Sequence, residues 1–308
     1  MALRYRRLRS GAMMPIIGFG TYKLKGEECY NAVKSAVLDA GYRHIDTATM
    51  YKNEADIGRA LKDIFASGIR REDLFITTKL WCSDHSPERI SQKFQESLDS
   101  LGLDYIDLYL IHKPFSVAGC EDYPNGDTFE LSYIPTTAVW AELEKLVDRG
   151  LIIDLGISNV PAALLLEIYS SSRIKPSVVQ NELHPYNTSE NIIKFCKKLG
   201  IQYQGYGSLG GFNYKHDHQL TPLIEHPVIQ EIALKYGKSC ANILLNWSLS
   251  QEACIIPKSA QLERQIENLT AIEYKMEEDD IKRISQLNQN LRFYGVALLV
   301  KAGIPLYD

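Results

Sequence analysis

The chain has 308 residues, 45% hydrophobic and 23% charged, which suits one globular unit with a large buried core. Its formal net charge of −4 gives no footing for a nucleic-acid or anionic-membrane partner, so any basic site must be local. No segment approaches the roughly 20 consecutive apolar residues that a membrane-spanning helix requires.

Six cysteines, Cys29, Cys82, Cys120, Cys196, Cys240 and Cys254, show no CxxC pair and no zinc spacing. Reduced thiols in a cytoplasmic protein without a metal site are therefore expected. Met1 to Arg9 is basic but lacks the apolar run of a secretory signal. A mitochondrial presequence is the alternative; against it, Ala12 to Gly20 already read as the first elements of the fold.

Residues 4–17 alternate around Ser10-Gly11, as a hairpin capping the bottom of a barrel would. Ile16 to Thr21 reads as the first barrel strand. Glu27 to Ala40 places Val33, Ala36, Val37 and Ala40 at helical spacing and stops at Gly41. Tyr42 to Ile45 is a short buried strand ending at Asp46. Tyr51 lies in the loop that follows, ahead of a helix over Glu54 to Ala66 with Ile57, Ala60, Leu61 and Ile64 on one face. Leu74 to Thr78 is a strand leading to Lys79. Ser86-Pro87-Glu88 opens the next helix, with serine as N-cap and proline at the first position. Its apolar face is Ile90, Phe94, Leu98 and Leu101.

Tyr105 to Ile111 is a strand that reaches His112. Phe115 to about Ile134 reads as a long loop, and after a barrel strand such a loop belongs over the active-site mouth. Thr136 to Arg149 is a helix stopped by Gly150, and Ile152 to Ile157 a strand running into Ser158-Asn159. A helix over Pro161 to Tyr169 precedes a strand over Ser177 to Gln180. Asn191 to Leu199 is helical, and Gln202 to Gly205 is a strand ending in Tyr206. Helices over Pro227 to Tyr236 and Ser239 to Ser250 precede a strand over Ala253 to Ile256 and a helix over Leu262 to Asn268. Eight strands alternating with helices, with no linker, predict a single (β/α)8 TIM barrel, of the α/β class, over residues 1–308.

Asp46, Tyr51, Lys79 and His112 thus fall at or just past the C-terminal ends of three successive strands, where such a barrel keeps its chemistry. Singly, a strand-end Lys or Asp is more often a structural ion pair, and a lone Tyr or His more often packing. The set of four is what points to a site. A tyrosine ionises at about pH 10 and needs help from a cation or a helix dipole to act as an acid.

The pattern DTAxxYxNE over Asp46 to Glu54 is one of four pieces in order. The strand ending Thr78-Lys79-Leu80-Trp81 is the second, and Tyr109-Leu110-Ile111-His112, followed two residues later by Pro114, is the third. With Gly156-Ile157-Ser158-Asn159 they resemble the aldo-keto reductase superfamily, of the aldose and xylose reductase type, over nearly the whole chain. The resemblance implies NADPH-dependent reduction of aldehydes or ketones, with Tyr51 as proton donor. In that scheme the Lys79 ammonium lowers the tyrosine pKa, Asp46 keeps the lysine charged and oriented, and His112 orients the substrate oxygen.

The same resemblance assigns Ser158, Asn159 and Gln180 to the nicotinamide carboxamide and Tyr206 to stacking on its ring. Thr21 and Leu209 join the cofactor site. Lys258, Ser259, Arg264, Glu267 and Asn268 match the family's site for the adenosine 2′-phosphate, where a guanidinium suits bidentate contact. Together these argue for NADPH over NADH. No GxGxxG follows a strand, so Rossmann-type binding is not supported.

The pattern departs from the family at three places. Lys113 stands where a tryptophan usually follows the histidine. It either turns to solvent or a loop carboxylate such as Glu121 or Asp122, or it favours anionic or polyhydroxylated substrates. Tyr22 stands where many relatives carry a pocket tryptophan, while Trp81 is retained. Tyr206-Gly207-Ser208-Leu209-Gly210 lacks the usual proline, which predicts a more flexible loop. The tail from Asn290 to Asp308, through Phe293, is expected to cover one side of the mouth.

The reading is a cytoplasmic, monomeric enzyme acting on a small carbonyl substrate, an aldehyde, ketone or sugar. A xylose-reductase-like sugar or polyol oxidoreductase is the alternative within enzymes. A non-catalytic NADPH-binding subunit would have no need of a proton donor, and a metal-dependent hydrolase would need more ligands than Asp46 and His112.

Overall fold

The apolar strand runs assemble into one parallel sheet that closes on itself. In the computed structural model, which describes residues 4–118, 130–211 and 220–294, β1 (Tyr5–Arg7) and β2 (Met13–Pro15) form the N-terminal antiparallel hairpin. The barrel strands follow as β3 (Phe19–Gly20), β4 (His44–Asp46), β5 (Phe75–Leu80) and β6 (Ile106–Ile111). After the lateral pair β7 (Ser116–Ala118) and β8 (Glu130–Ser132) come β9 (Ile152–Ser158), β10 (Val178–Glu182), β11 (Gln202–Tyr206) and β12 (Cys254–Ile255).

The eight barrel strands pair in chain order, all parallel. Backbone bonds from Gly18 N–H to Ile255 O and from Ile255 N–H to Ile16 O, both 2.8 Å, join the first strand to the last and remove both sheet edges. A (β/α)8 barrel results, as the alternation of strands and helices predicts.

The helices are α1 (Gly26–Ser35), α2 (Glu54–Ala66), α3 (Pro87–Leu101), α4 (Thr136–Asp148) and α5 (Ala162–Ser171). They continue as α6 (Glu190–Leu199), α7 (Pro227–Tyr236), α8 (Cys240–Ser250), α9 (Leu262–Leu269) and α10 (Glu278–Ser285). α2 and α3 bury the apolar stripes read from their spacing, including Ile57, Leu61, Phe94 and Leu98. Trp140 and Trp247, both fully buried, satisfy their indole N–H groups on Ile174 O at 2.9 Å and Ser285 Oγ at 3.0 Å.

Four local readings change. The first helix is α-helical only to Ser35. Ala36–Ala40 widens into a π turn, with Ala36 O accepting from Gly41 and Tyr42 N–H, a difference that apolar periodicity over one turn cannot register. Lys79 lies inside β5 rather than past its end. Both ends of the long loop after β6 pair as the β7–β8 ladder; residues 119–129, with Glu121 and Asp122, lie outside the described residues. Helix α10 buries only Asp280 and Ile284, too thin a stripe to be read from sequence.

Gly58 is where α2 meets α3 backbone to backbone. A Cβ there would collide with Ser100 O and lie 3.1 Å from Leu101 Cα. Gly58→Ala is expected to lower the unfolding free energy by about 1–3 kcal/mol through overpacking. An exposed helical site would instead gain about 1 kcal/mol from the same change. A guanidinium midpoint equal to or above that of the unmodified protein would show that the two helices have room to part.

Candidate active site

The strands carry their polar side chains to one end of the barrel. Asp46 closes β4, Lys79 sits one residue before the end of β5, and His112 follows β6 directly. Asp46 and Lys79 are 1% and 0% exposed, so their charges are withdrawn from water and must answer each other. Lys79 Nζ donates to Asp46 Oδ1 in a short ion pair and to Thr47 O at 2.7 Å. The second carboxylate oxygen, Asp46 Oδ2, accepts from Gln180 Nε2 at 2.7 Å, and that same nitrogen donates to Gln204 Oε1 at 2.7 Å. Lys79 Nζ lies 3.5 Å from the Tyr51 hydroxyl and 5.1 Å from its ring centroid.

The loop carrying Tyr51 is held by its own motif. Thr49 Oγ1 donates to Lys79 O at 2.8 Å, and Tyr51 N–H bonds to Ala48 O at 2.9 Å. Asn53 Nδ2 donates to Thr21 O and Leu24 O, each at 3.0 Å, and Thr47 Oγ1 donates to Asn53 Oδ1 at 2.9 Å. Buried Glu54 accepts from Thr78 Oγ1 and from Ser97 Oγ, which ties α2 to β5 and α3. Asn53 and Glu54 therefore brace the loop, and Tyr51 is the residue it presents.

Burial sets the protonation states. The Tyr51 phenol is pushed well above its ordinary value of about 10, by burial first and then by the negative charge of Asp46 and the neighbouring Tyr22. The net direction is the reverse of the lowering expected from Lys79, because burial and the Asp46 charge outweigh the ammonium 3.5 Å from the hydroxyl. Lys79 itself is lowered by burial and held up by Asp46. His112 lies well below 6.5, from burial first and then the Lys79 and Lys113 charges, so its imidazole is neutral. Trp81 and Tyr51 pack edge-on to it, with centroids at 5.1 and 5.7 Å.

A cavity of about 490 Å³ opens over these groups. Asp46, Tyr51, Trp81, His112 and Lys113 line one end, with Tyr22, whose ring centroid is 5.1 Å from that of Tyr51. The lining continues through Thr21, Ser158, Asn159, Gln180 and Tyr206 to Leu209 and Lys258. Lys79 stands behind Asp46 and Tyr51. Ser158, Asn159 and Tyr206 already bond one another: Tyr206 Oη donates to Asn159 Oδ1 at 2.6 Å, and Asn159 Nδ2 to Ser158 Oγ at 3.0 Å and to His112 O at 2.8 Å. Asn159 adopts a left-handed backbone (φ 57°), strain of a kind that functional sites retain.

The turn after Tyr206 is closed by Gly210 N–H to Gly207 O at 2.8 Å. Gly207 has φ 69°, and a Cβ there would lie 2.8 Å from the Tyr294 ring, so the missing proline is answered by a tight, packed turn.

Lys113 is not turned to solvent; it is 8% exposed and lines the cavity. Phe293 does not line it. Its N–H bonds to Glu182 Oε1 at 2.7 Å and its ring lies against His184 at 5.0 Å, so it anchors the tail while the next residue, Tyr294, faces the cavity. The rest of the expected covering tail, 295–308, lies outside the described residues. Ser259, Arg264, Glu267 and Asn268 are not in the lining. Ser259 Oγ accepts from Gln261 N–H at 3.0 Å, and the other three sit on α9, with Arg264 exposed.

Met50, Ser208 and Tyr294 line the cavity without having been singled out from sequence. Met50 and Ser208 adjoin residues that were, and that adjacency was the available signal. Among the described residues no cluster of His, Cys, Asp or Glu could hold a metal ion.

Residues 16–289 match the model of the aldo/keto reductase family. The chain is similar to a probable NAD(P)H-dependent D-xylose reductase of Emericella nidulans, 37% identical over 96% of this chain and 98% of that one. It is as similar to the 4-dihydromethyl-trisporate dehydrogenase of Mucor mucedo, 37% identical over 97% of each. Among solved structures, the aldose reductase of Schistosoma japonicum matches at TM-score 0.89 and 32% identity, covering 98% of this chain and 97% of its own.

The Asp46–Lys79 pair yields a stability test. Asp46→Asn leaves a buried ammonium with Thr47 O and the Tyr51 hydroxyl but no bonded carboxylate, at an expected cost of about 3–5 kcal/mol. Adding Lys79→Met removes the stranded charge, and the double variant should unfold at a higher denaturant concentration than the single one. Equal midpoints would mean that a lysine stranded beside the substituted position 46 carries no penalty.

Proposed function

The chain belongs to the aldo/keto reductase family, and on that premise we propose that it reduces the carbonyl group of small aldehydes, ketones or aldoses with NADPH, using Tyr51 as proton donor. The observation that carries the reading is the Tyr51 hydroxyl, 3.5 Å from an ammonium that Asp46 fixes, at the floor of a cavity it shares with neutral His112.

The residues fit the cofactor. The cavity runs from Tyr51 past Gln180 and Tyr206 to Lys258, and the buried Ser208 hydroxyl along it has no hydrogen-bond partner among the described residues. Ser158, Asn159, Gln180 and Tyr206 would hold the nicotinamide end, with Thr21 and Leu209 alongside. Lys258, Ser259, Arg264, Glu267 and Asn268 would hold the adenosine end. Gln180 has its amide nitrogen bound to Asp46 and Gln204, so its Oε1 is the atom left for a ligand. When bound, NADPH supplies the hydride that a carbonyl carbon accepts.

The chain supplies the rest. Neutral His112 donates an N–H to the substrate oxygen as negative charge builds there. Tyr51, held as a phenol by burial, gives up its Oη proton; an alkoxide is a far stronger base than a phenolate, so the transfer runs downhill despite the raised pKa. Lys79 then stabilises the phenolate, and the Asp46–Gln180 bonds keep its ammonium in place. Trp81, Tyr22 and Met50 exclude water around the reacting atoms. The same reading makes the protein a cytoplasmic monomer; no described helix is long and apolar enough to cross a membrane.

Relatives at the same identity carry names for unlike substrates, D-xylose and 4-dihydromethyl-trisporate, so likeness alone does not choose the substrate.

Two measurements test the reading. Tyr51→Phe should lower the rate of NADPH oxidation with a reactive aromatic aldehyde by about 10²–10⁴-fold, the worth of a general acid, while NADPH affinity stays within about threefold. Undiminished turnover would remove Tyr51 from the chemistry. Arg264→Ala should weaken NADPH by about tenfold or more, as loss of a charged hydrogen bond does, and leave NADH nearly untouched. Equal losses in a fluorescence titration would show that Arg264 does not contact the 2′-phosphate.

A further inference from the structure

Lys113 is the residue that the proposed chemistry does not use. It follows His112 directly after β6, is 92% buried by its 8% exposure, and lines the cavity beside Tyr51, His112 and Trp81. Its ammonium makes no hydrogen bond or ion pair with any described residue.

The described carboxylate whose charge reaches Lys113 is already taken. Glu182 Oε1 accepts from His184 Nε2 and from Phe293 N–H, each at 2.7 Å, and Oε2 accepts from Tyr294 N–H at 3.1 Å. Glu182 is at most a distant counter-charge for Lys113. The other groups facing the ammonium are the Cys82 thiol, the Arg292 guanidinium and His112. The first is a weak partner, and the second repels.

A buried cation with no bonded counterion among the described residues is unfavourable, and the pKa of Lys113, driven down by burial to about 8, records that cost. The ammonium remains mostly charged at neutral pH. A packing role would be better served by an apolar side chain of the same length.

We propose that Lys113 selects carbonyl substrates that carry a carboxylate, with its ammonium as the docking point for that group next to the reacting carbon. The inference rests on the reductase reading and adds the substrate class to it. Neutral hydroxyls are solvated by water about as well as by an ammonium. A carboxylate brought up to this buried ammonium instead gains a charge-assisted bond and supplies it with a counterion.

The test compares two aldehydes of similar size, 4-carboxybenzaldehyde and 4-methylbenzaldehyde, with NADPH. For each enzyme the ratio of kcat/KM, anionic over neutral, is the readout. Lys113→Met keeps length and loses charge, and Lys113→Gln is carried beside it. The ratio should fall about tenfold or more in both variants relative to the unmodified enzyme. In the unmodified enzyme it should decline as pH rises through about 8, as the ammonium loses its proton, and this inflection should vanish in Lys113→Met, in which Cys82, Glu182, Arg292 and His112 are unchanged.

An unchanged ratio in the variants would overturn the proposal. If the unmodified protein turned over neither aldehyde, the reductase reading would fail by itself. Calorimetric titration of the two corresponding alcohols, with NADP+ present, then decides the anion site alone. Carboxylate binding about tenfold weaker in Lys113→Met supports the site, and equal binding overturns it.

Discussion

The buried Asp46–Lys79 ion pair is the interaction on which the functional end of the barrel depends. Neither charge reaches water, so each is tolerable only because the other is bonded to it. The pair spans the adjacent strands β4 and β5, and Gln180, from a strand farther round the barrel, bonds the remaining carboxylate oxygen. Three strands are thereby committed to one arrangement. Tyr51 inherits its surroundings from this pair, since its hydroxyl faces a cation whose position is already decided.

The parallel barrel makes that arrangement possible. Because every strand points the same way, the ends of β4, β5, β6, β9, β10 and β11 converge on one mouth, and residues far apart in sequence become neighbours. The closing bonds between Ile16, Gly18 and Ile255 hold the ring, and Gly20 N–H bonds to Pro257 O at 3.0 Å, which brings the Pro257-Lys258 end of the cavity next to the first strand. Asn53 and Glu54, parts of the same sequence motif as Tyr51, spend their polar atoms on bracing the loop. Their place in the motif reflects what it takes to hold Tyr51 still.

The far wall is set by a second buried carboxylate. Glu182, at the end of β10, gathers His184 and the backbone N–H groups of Phe293 and Tyr294, and so fixes the chain beyond α10 against the mouth. Tyr294 in turn packs edge-on to Tyr206 at 5.9 Å, over a turn where only glycine leaves room for its ring. One carboxylate thus positions the chemistry and another the wall. Between them sits Lys113, a buried cavity cation with no hydrogen bond or ion pair to any described residue.

Alternation of strand and helix, the glycine stops and the order of the strand-end motifs by themselves determined the barrel and the set Asp46, Tyr51, Lys79 and His112. Those signals are local, because side-chain spacing within one element reports which face is buried, and strand order follows from parallel right-handed connections. The π turn after Ser35, the β7–β8 ladder and α10 were hidden because each is short or nearly stripeless. Side-chain environment was beyond reach as well. That Tyr51 is raised rather than lowered, that Phe293 faces inward while Tyr294 meets the cavity, and that Lys113 is buried all depend on burial, which many distant segments decide together. Burial converts a charge or a hydroxyl into a directed group by removing the water that would otherwise answer it, and only the closed tertiary structure removes that water.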